Sequence, residues 1–150
     1  MKTIVRAAAL AATFALSAAT LAQAQSAARV YDNGPVWVIS FIETKPGMFD
    51  DYMAYLAHQW RDTNEADKRA GYVLDYKVLS LNEARDHEPD VVLMVEYKNM
   101  AAFDRPLAEQ EATSAKAFGS VVKSNQAFAS RESLRATRGG FTAREMVFLK

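Results

Sequence analysis

Apolar residues fill both alternating faces of 35–43 (PVWVISFIE). Trp37, Ile39 and Phe41 share one face; Val36, Val38, Ser40 and Ile42 share the other. The period of two and the β-branched and aromatic content predict a strand covered on both sides. Lys45-Pro46-Gly47 breaks it, and the spacing changes. Phe49, Tyr52, Met53, Leu56, Trp60 and Thr63 recur at three- and four-residue steps, which predicts a helix over 47–70. Asp50 and Asp51 suit its positive end, Lys68 and Arg69 its negative end, and Gly71 its left-handed terminator.

Alternation returns over 71–81 (GYVLDYKVLSL), with Tyr72, Leu74, Tyr76 and Val78 on one face and Val73, Asp75, Lys77 and Leu79 on the other. The polar run 82–90, which contains Pro89, reads as an exposed loop. Residues 91–97 (VVLMVEY) form the next strand. Asn99 caps a short helical turn over 100–103. Asp104 and Pro106 open a second helix with apolar positions Leu107, Phe118, Val121, Val122 and Phe128, weakened by Gly119. The polar stretch 131–140 ends in a Gly139-Gly140 turn, and 141–150 is the last strand.

This order, βαββαβ, is the ferredoxin-like split βαβ pattern of the α+β class. It is a four-stranded antiparallel sheet with two helices on one face. No repeat or low-complexity segment interrupts 35–150, so a single domain is expected there. Half of the 150 residues are hydrophobic and 24% are charged, which excludes a disordered polymer. The absence of cysteine excludes disulfides, thiolate metal sites and a cysteine nucleophile. Basic and acidic side chains number 18 each, leaving no basic excess for nucleic acid.

Residues 1–24 have a separate character. Lys2 and Arg6 precede an uncharged apolar stretch over 7–21, and Ala22-Gln23-Ala24 has the small-x-small form cleaved by signal peptidase. The stretch is short and alanine-rich for a bilayer span. A cleaved signal peptide is therefore expected, then a flexible segment over 25–34 with an Asn33-Gly34-Pro35 turn. The mature chain would carry 16 basic against 18 acidic groups, net −2. It is expected to be periplasmic or secreted, with no membrane association after cleavage.

The run VWVISFIETKPGMFDDYMAYL over 36–56 resembles the opening of the dimeric α+β barrel proteins, which include the antibiotic-biosynthesis-monooxygenase-like families. These open with a strand, a KPG turn and an aromatic-rich helix. VEYKNMAAFD over 95–104 resembles their third strand and its turn into the second helix. The nearest likeness is to small secreted bacterial proteins of this fold without assigned activity. The resemblance implies two sheets paired across a homodimer. Independently, the sheet face away from the helices is expected to carry Val73, Leu79, Val92 and Met94, interleaved with Asp75, Lys77 and Glu96, a surface too apolar to leave in water.

Chemistry is sparse. His58 falls on the polar stripe of the first helix, and His87 lies in the acidic loop Asp86-His87-Glu88, so both read as surface residues. No paired histidine spacing supports a metal site. Haem-binding relatives of the fold place a histidine on the second helix, and 88–150 contains none; no cofactor is expected. Cofactor-free relatives use polar groups around their pocket, whereas the first strand offers only Ser40. No phosphate-binding loop is present. What remains is aromatic. Tyr52 and Trp60 on the helix, with Tyr76 and Tyr97 on strands, are the candidate lining of a small apolar pocket, although such positions most often serve as core.

Two functions fit this reading. One is a periplasmic homodimer that binds a small hydrophobic or aromatic molecule between helices and sheet. The other is a cofactor-independent monooxygenase- or isomerase-like enzyme on an aromatic or polyketide-like substrate. An enzyme needs a polar group that moves a proton inside the pocket, and no proton-transfer pair is visible, which favours the first.

Overall fold

The computed structural model describes residues 29–82 and 85–150. The expected signal peptide lies outside them. Residues 33–146 form one compact unit; the described residues 29–32 and 147–150 belong to a second, in which the Leu149 amide donates to the Val30 carbonyl at 2.8 Å.

Four strands, β1 (Tyr31–Thr44), β2 (Val73–Ser80), β3 (Val91–Tyr97) and β4 (Arg135–Phe148), form one sheet in the order β2-β3-β1-β4. β3 pairs antiparallel with β1 from Val36↔Tyr97 to Ile42↔Val91, and with β2 from Val73↔Tyr97 to Ser80↔Val91. The first helix runs from α1 (Phe49–Tyr55) through a π turn (Leu56–Trp60) into α2 (Arg61–Arg69). After β3, a 3-10 turn (Met100–Asp104) leads to α3 (Leu107–Phe118) and α4 (Val121–Ser130). The helices lie on one side of the sheet, the ferredoxin-like arrangement that the periodicity predicts.

The core lies between the first helix and the sheet. Ile42, Tyr52, Leu56, Val91 and Leu93 are buried together, with Met53, Tyr55, Trp60, Val78 and Leu134 packed around them. Register therefore places Val36, Val38, Ser40 and Ile42 on the helix side, while Trp37, Ile39 and Phe41 face away with Val92 and Met94.

Several local features depart from simple periodicity. β1 begins at Tyr31, so Asn33-Gly34-Pro35 is extended strand where a turn was expected. Pro35, which has no amide proton, lies just outside the β3 register, so it breaks no hydrogen bond there. In β2, Val73 opposes Tyr97 but Asp75 opposes Glu96, so Leu74 is the extra residue of a β-bulge. Val73 consequently turns to the helix side and is 2% exposed, whereas Leu74 is 40% exposed, which reverses their expected faces.

The second helix is two helices. Gly119, at φ +83°, closes α3 in the left-handed conformation, and the Ser120 hydroxyl accepts from the Lys123 amide at 3.1 Å to start α4. β4 begins at Arg135, and Gly139-Gly140 lies inside it where a turn was expected. A Cβ on Gly140 would sit 2.4 Å from the Ile39 carbonyl oxygen, so the glycine permits close approach of β4 to β1. Among the described residues, no helix is long and apolar enough to cross a membrane.

Candidate functional site

One recess is built around the end of β3. Asn99 caps the turn that follows, its side-chain oxygen accepting from the Ala101 amide at 3.0 Å. The turn carries Phe103 back onto Tyr97, with ring centroids 4.9 Å apart. Arg105 then reaches beneath α3. Its Nη1 meets Asp67 at 2.8 Å, and its Nη2 donates to the Glu109 carbonyl at 3.1 Å and to the Thr113 hydroxyl. The guanidinium lies 3.9 Å from the centre of the Tyr72 ring, whose hydroxyl donates to Glu109 at 2.6 Å. That bond raises the Tyr72 pKa above its ordinary value. Burial does the same for Tyr97, keeping its phenol protonated as a hydrogen-bond donor.

These residues enclose a cleft of about 250 Å3, lined by Thr63, Tyr97, Phe103, Arg105, Gln110 and Thr113 among others. Apolar ring surface and polar groups contribute comparably to the lining. Arg105 faces two carboxylates, Asp67 and Glu109 (3.9 Å from Nε), so its charge is already balanced and the cleft suits an uncharged guest.

The four sequence-predicted residues do not converge. Tyr97 borders this cleft. Trp60 and Tyr76 make an edge-to-face pair at 5.3 Å and line a separate apolar groove of about 170 Å3 with Met53, Leu56 and Val78. The Tyr76 hydroxyl donates to Glu65 at 2.6 Å, which raises its pKa. Tyr52 is core, only 1% exposed and stacked on Tyr55 at 6.0 Å. Burial pushes its pKa up to about 12, against the opposing pull of the Arg135 charge. The separation follows from register. Tyr52 packs at the Val91 end of β3, and Tyr97 is at the opposite end, roughly 20 Å away at strand rise. Phe103 and Arg105 fell in a turn too short for periodicity to orient; the Asn99 cap was the only local signal.

The helix also contains a feature periodicity does not reveal. The Arg61 amide bonds the Leu56 carbonyl, five residues back, making the π turn. Beside it the Thr63 hydroxyl donates to the Gln59 carbonyl and the buried Asn64 amide to the Trp60 carbonyl, both at 2.8 Å. π turns are frequent near functional sites, and Trp60, the last residue of this one, lines the groove.

His58 is exposed. His87 is largely exposed but not isolated: its Nδ1 lies 3.5 Å from Glu43 and 3.2 Å from Arg138 Nη2, and it adopts φ 66°. This group borders a hollow of about 320 Å3 that includes Lys45, Phe49 and Asp90. Among the described residues no group of three or more His, Cys, Asp or Glu side chains is placed to hold a metal ion.

No family model matches the chain, and no curated protein matches it. Among solved structures it is similar to HapK from Hahella chejuensis, with 12% identity over 73% of this chain and 91% of that one, at a TM-score of 0.52. It also matches PA3566 from Pseudomonas aeruginosa, with 11% identity over 78% and 95% of the two chains, at a TM-score of 0.40. The likeness to HapK bears on the fold: a small antiparallel sheet with helices, α+β in class. At this identity it carries no activity across.

Proposed function

We propose that the chain is an exported, homodimeric protein of the dimeric α+β barrel type that binds a small, uncharged aromatic molecule in the Tyr97–Phe103–Arg105 cleft. The cleft carries the reading. It combines two aromatic rings, a protonated phenol and a charge-balanced arginine in a volume suited to one or two rings. Binding is favoured over catalysis because the carboxylates beside the cleft are already engaged, Asp67 by Arg105 and Glu109 by the Tyr72 hydroxyl.

The homodimer rests on the open sheet face, where Trp37, Ile39, Phe41 and Met94 are only half-buried and Phe141, its ring tilted against Phe41 at 5.8 Å, is 52% exposed. A second sheet laid on this face would remove that surface from water.

Calorimetric titration of the folded protein with a panel of neutral one- and two-ring aromatics tests the binding. At least one compound should bind saturably. Tyr97→Phe should weaken a bound hydrogen-bond acceptor by about 0.5–1.5 kcal/mol, and Phe103→Ala should cost more through lost stacking. A panel with no binder, or a binder indifferent to both substitutions, contradicts the reading.

A further inference from the structure

We propose that Arg131 and Arg135 form a binding site for a small oxyanion, separate from the aromatic cleft. Arg135 opens β4 and is 6% exposed, yet its nearest carboxylate, Glu132, is 3.9 Å away with a side chain 59% exposed. Its other polar contact is Nη1 donating to the Thr137 hydroxyl at 2.6 Å. Arg131 donates from Nη1 to the Tyr55 hydroxyl at 2.7 Å and lies over the Phe128 and Tyr55 rings at 4.4 and 5.0 Å. Among the described residues no carboxylate lies within ion-pair distance of it.

Both Nε atoms are buried without a hydrogen-bond partner. Arg105 provides the contrast. Its Nε is equally unpartnered, but two carboxylates, Asp67 and Glu109, face that one cation, whereas the Arg131–Arg135 pair has only the exposed Glu132 between two cations. Burying a cation without a counter-ion costs several kcal/mol, and a guanidinium offers its Nε–Nη2 edge to two oxygens of one anion. In Arg131 only Nη1 is engaged, so its Nε–Nη2 edge is the one that suits a carboxylate or phosphate; in Arg135, Nη1 bonds Thr137 and Nη2 lies 3.9 Å from the exposed Glu132, which leaves the buried Nε without a partner.

The stacked pair Tyr52 and Tyr55 forms the floor, with Arg135 5.8 Å from the Tyr52 ring centre. Tyr55 already accepts from Arg131, and Asp90, the next acid in the region, is taken up by the Thr44 amide and hydroxyl. Arg131 is only half-buried, which leaves the pair within reach of solvent. The shared chemistry is two oxygens carrying negative charge, from a free phosphate or from an organic acid.

Thermal unfolding and calorimetry of the folded protein in sodium phosphate, in sodium benzoate and in sodium chloride of matched ionic strength test this. Phosphate, benzoate or both should raise Tm saturably, by roughly 3 °C or more beyond the chloride control. A rise in phosphate alone assigns the free anion, and a rise in benzoate alone an organic carboxylate. Arg131→Gln, at the more exposed of the two positions, should weaken that binding at least tenfold. Arg135→Met should abolish it; if that variant fails to fold, Arg131→Gln decides. Equal melting in all three salts, or undiminished affinity in Arg131→Gln, overturns the proposal.

Discussion

Tyr52 and Gly140 show how much single positions are constrained. Tyr52 keeps its phenolic proton to about pH 12 in the folded state, against 10.0 for an ordinary tyrosine, because burial penalises the phenolate. Below pH 10 the folded and unfolded chains hold the same proton. Between 10 and about 12 only the unfolded chain releases it, so stability should fall as pH rises through that window. Urea midpoints measured at pH 9.5 and 11 should show the fall, and Tyr52→Phe should make it shallower. Tyr55 and Tyr97, also raised by burial, keep some slope in the variant. A pH slope unchanged by Tyr52→Phe would contradict the buried phenol. At Gly140 the constraint is steric, since an added Cβ meets backbone rather than a movable side chain. Gly140→Ala should cost about 1–3 kcal/mol in urea unfolding; a neutral result would mean that β4 does not approach β1 so closely. Tyr52 was legible as an aromatic at core spacing. Gly140 was not, because Gly-Gly signals a turn and a close strand approach with the same letters.

At the scale of elements, β1 from Val36 onward, β3 and the first helix were legible because apolar residues keep a regular spacing along most of each. The bulge at Leu74 was hidden, since one extra residue leaves the local composition unchanged while reversing the faces of Val73 and Leu74. The π turn was hidden for the same reason. Its support is Asn64, a buried polar residue whose amide takes the Trp60 carbonyl. Asn64→Ala should cost about 0.5–1.5 kcal/mol by removing that buried hydrogen bond, with a change in Trp60 fluorescence as the groove relaxes. Thr63→Ala, which removes a more exposed bond, should cost less. Equal costs would show that the π turn does not depend on Asn64. Of the candidate site, Tyr97 was legible and its partners were not. Phe103 and Arg105 reach it from the turn after β3 and Asp67 from α2, and only the fold brings these segments together.

For the whole molecule, two proposed properties are separable. Association through the open sheet face should give about twice the monomer mass by light scattering, and Met94→Lys should abolish it by burying an unpaired cation. Glu96 on that face has its pKa raised, first by burial and then by Glu145. Deeper burial on association would favour its protonated form further, so the dimer should tighten as pH falls through the carboxylate range; sedimentation at pH 5 and 7.5 reads this. Ligand binding in the cleft is the central claim. It is tested most directly by mapping amide chemical shifts of the labelled protein as a neutral aromatic binder is titrated in. The account predicts saturable shifts clustered at Tyr72, Tyr97, Phe103, Arg105 and Thr113, with little change at Tyr52. Shifts centred on the Trp60–Tyr76 groove, or scattered without saturation, would contradict it.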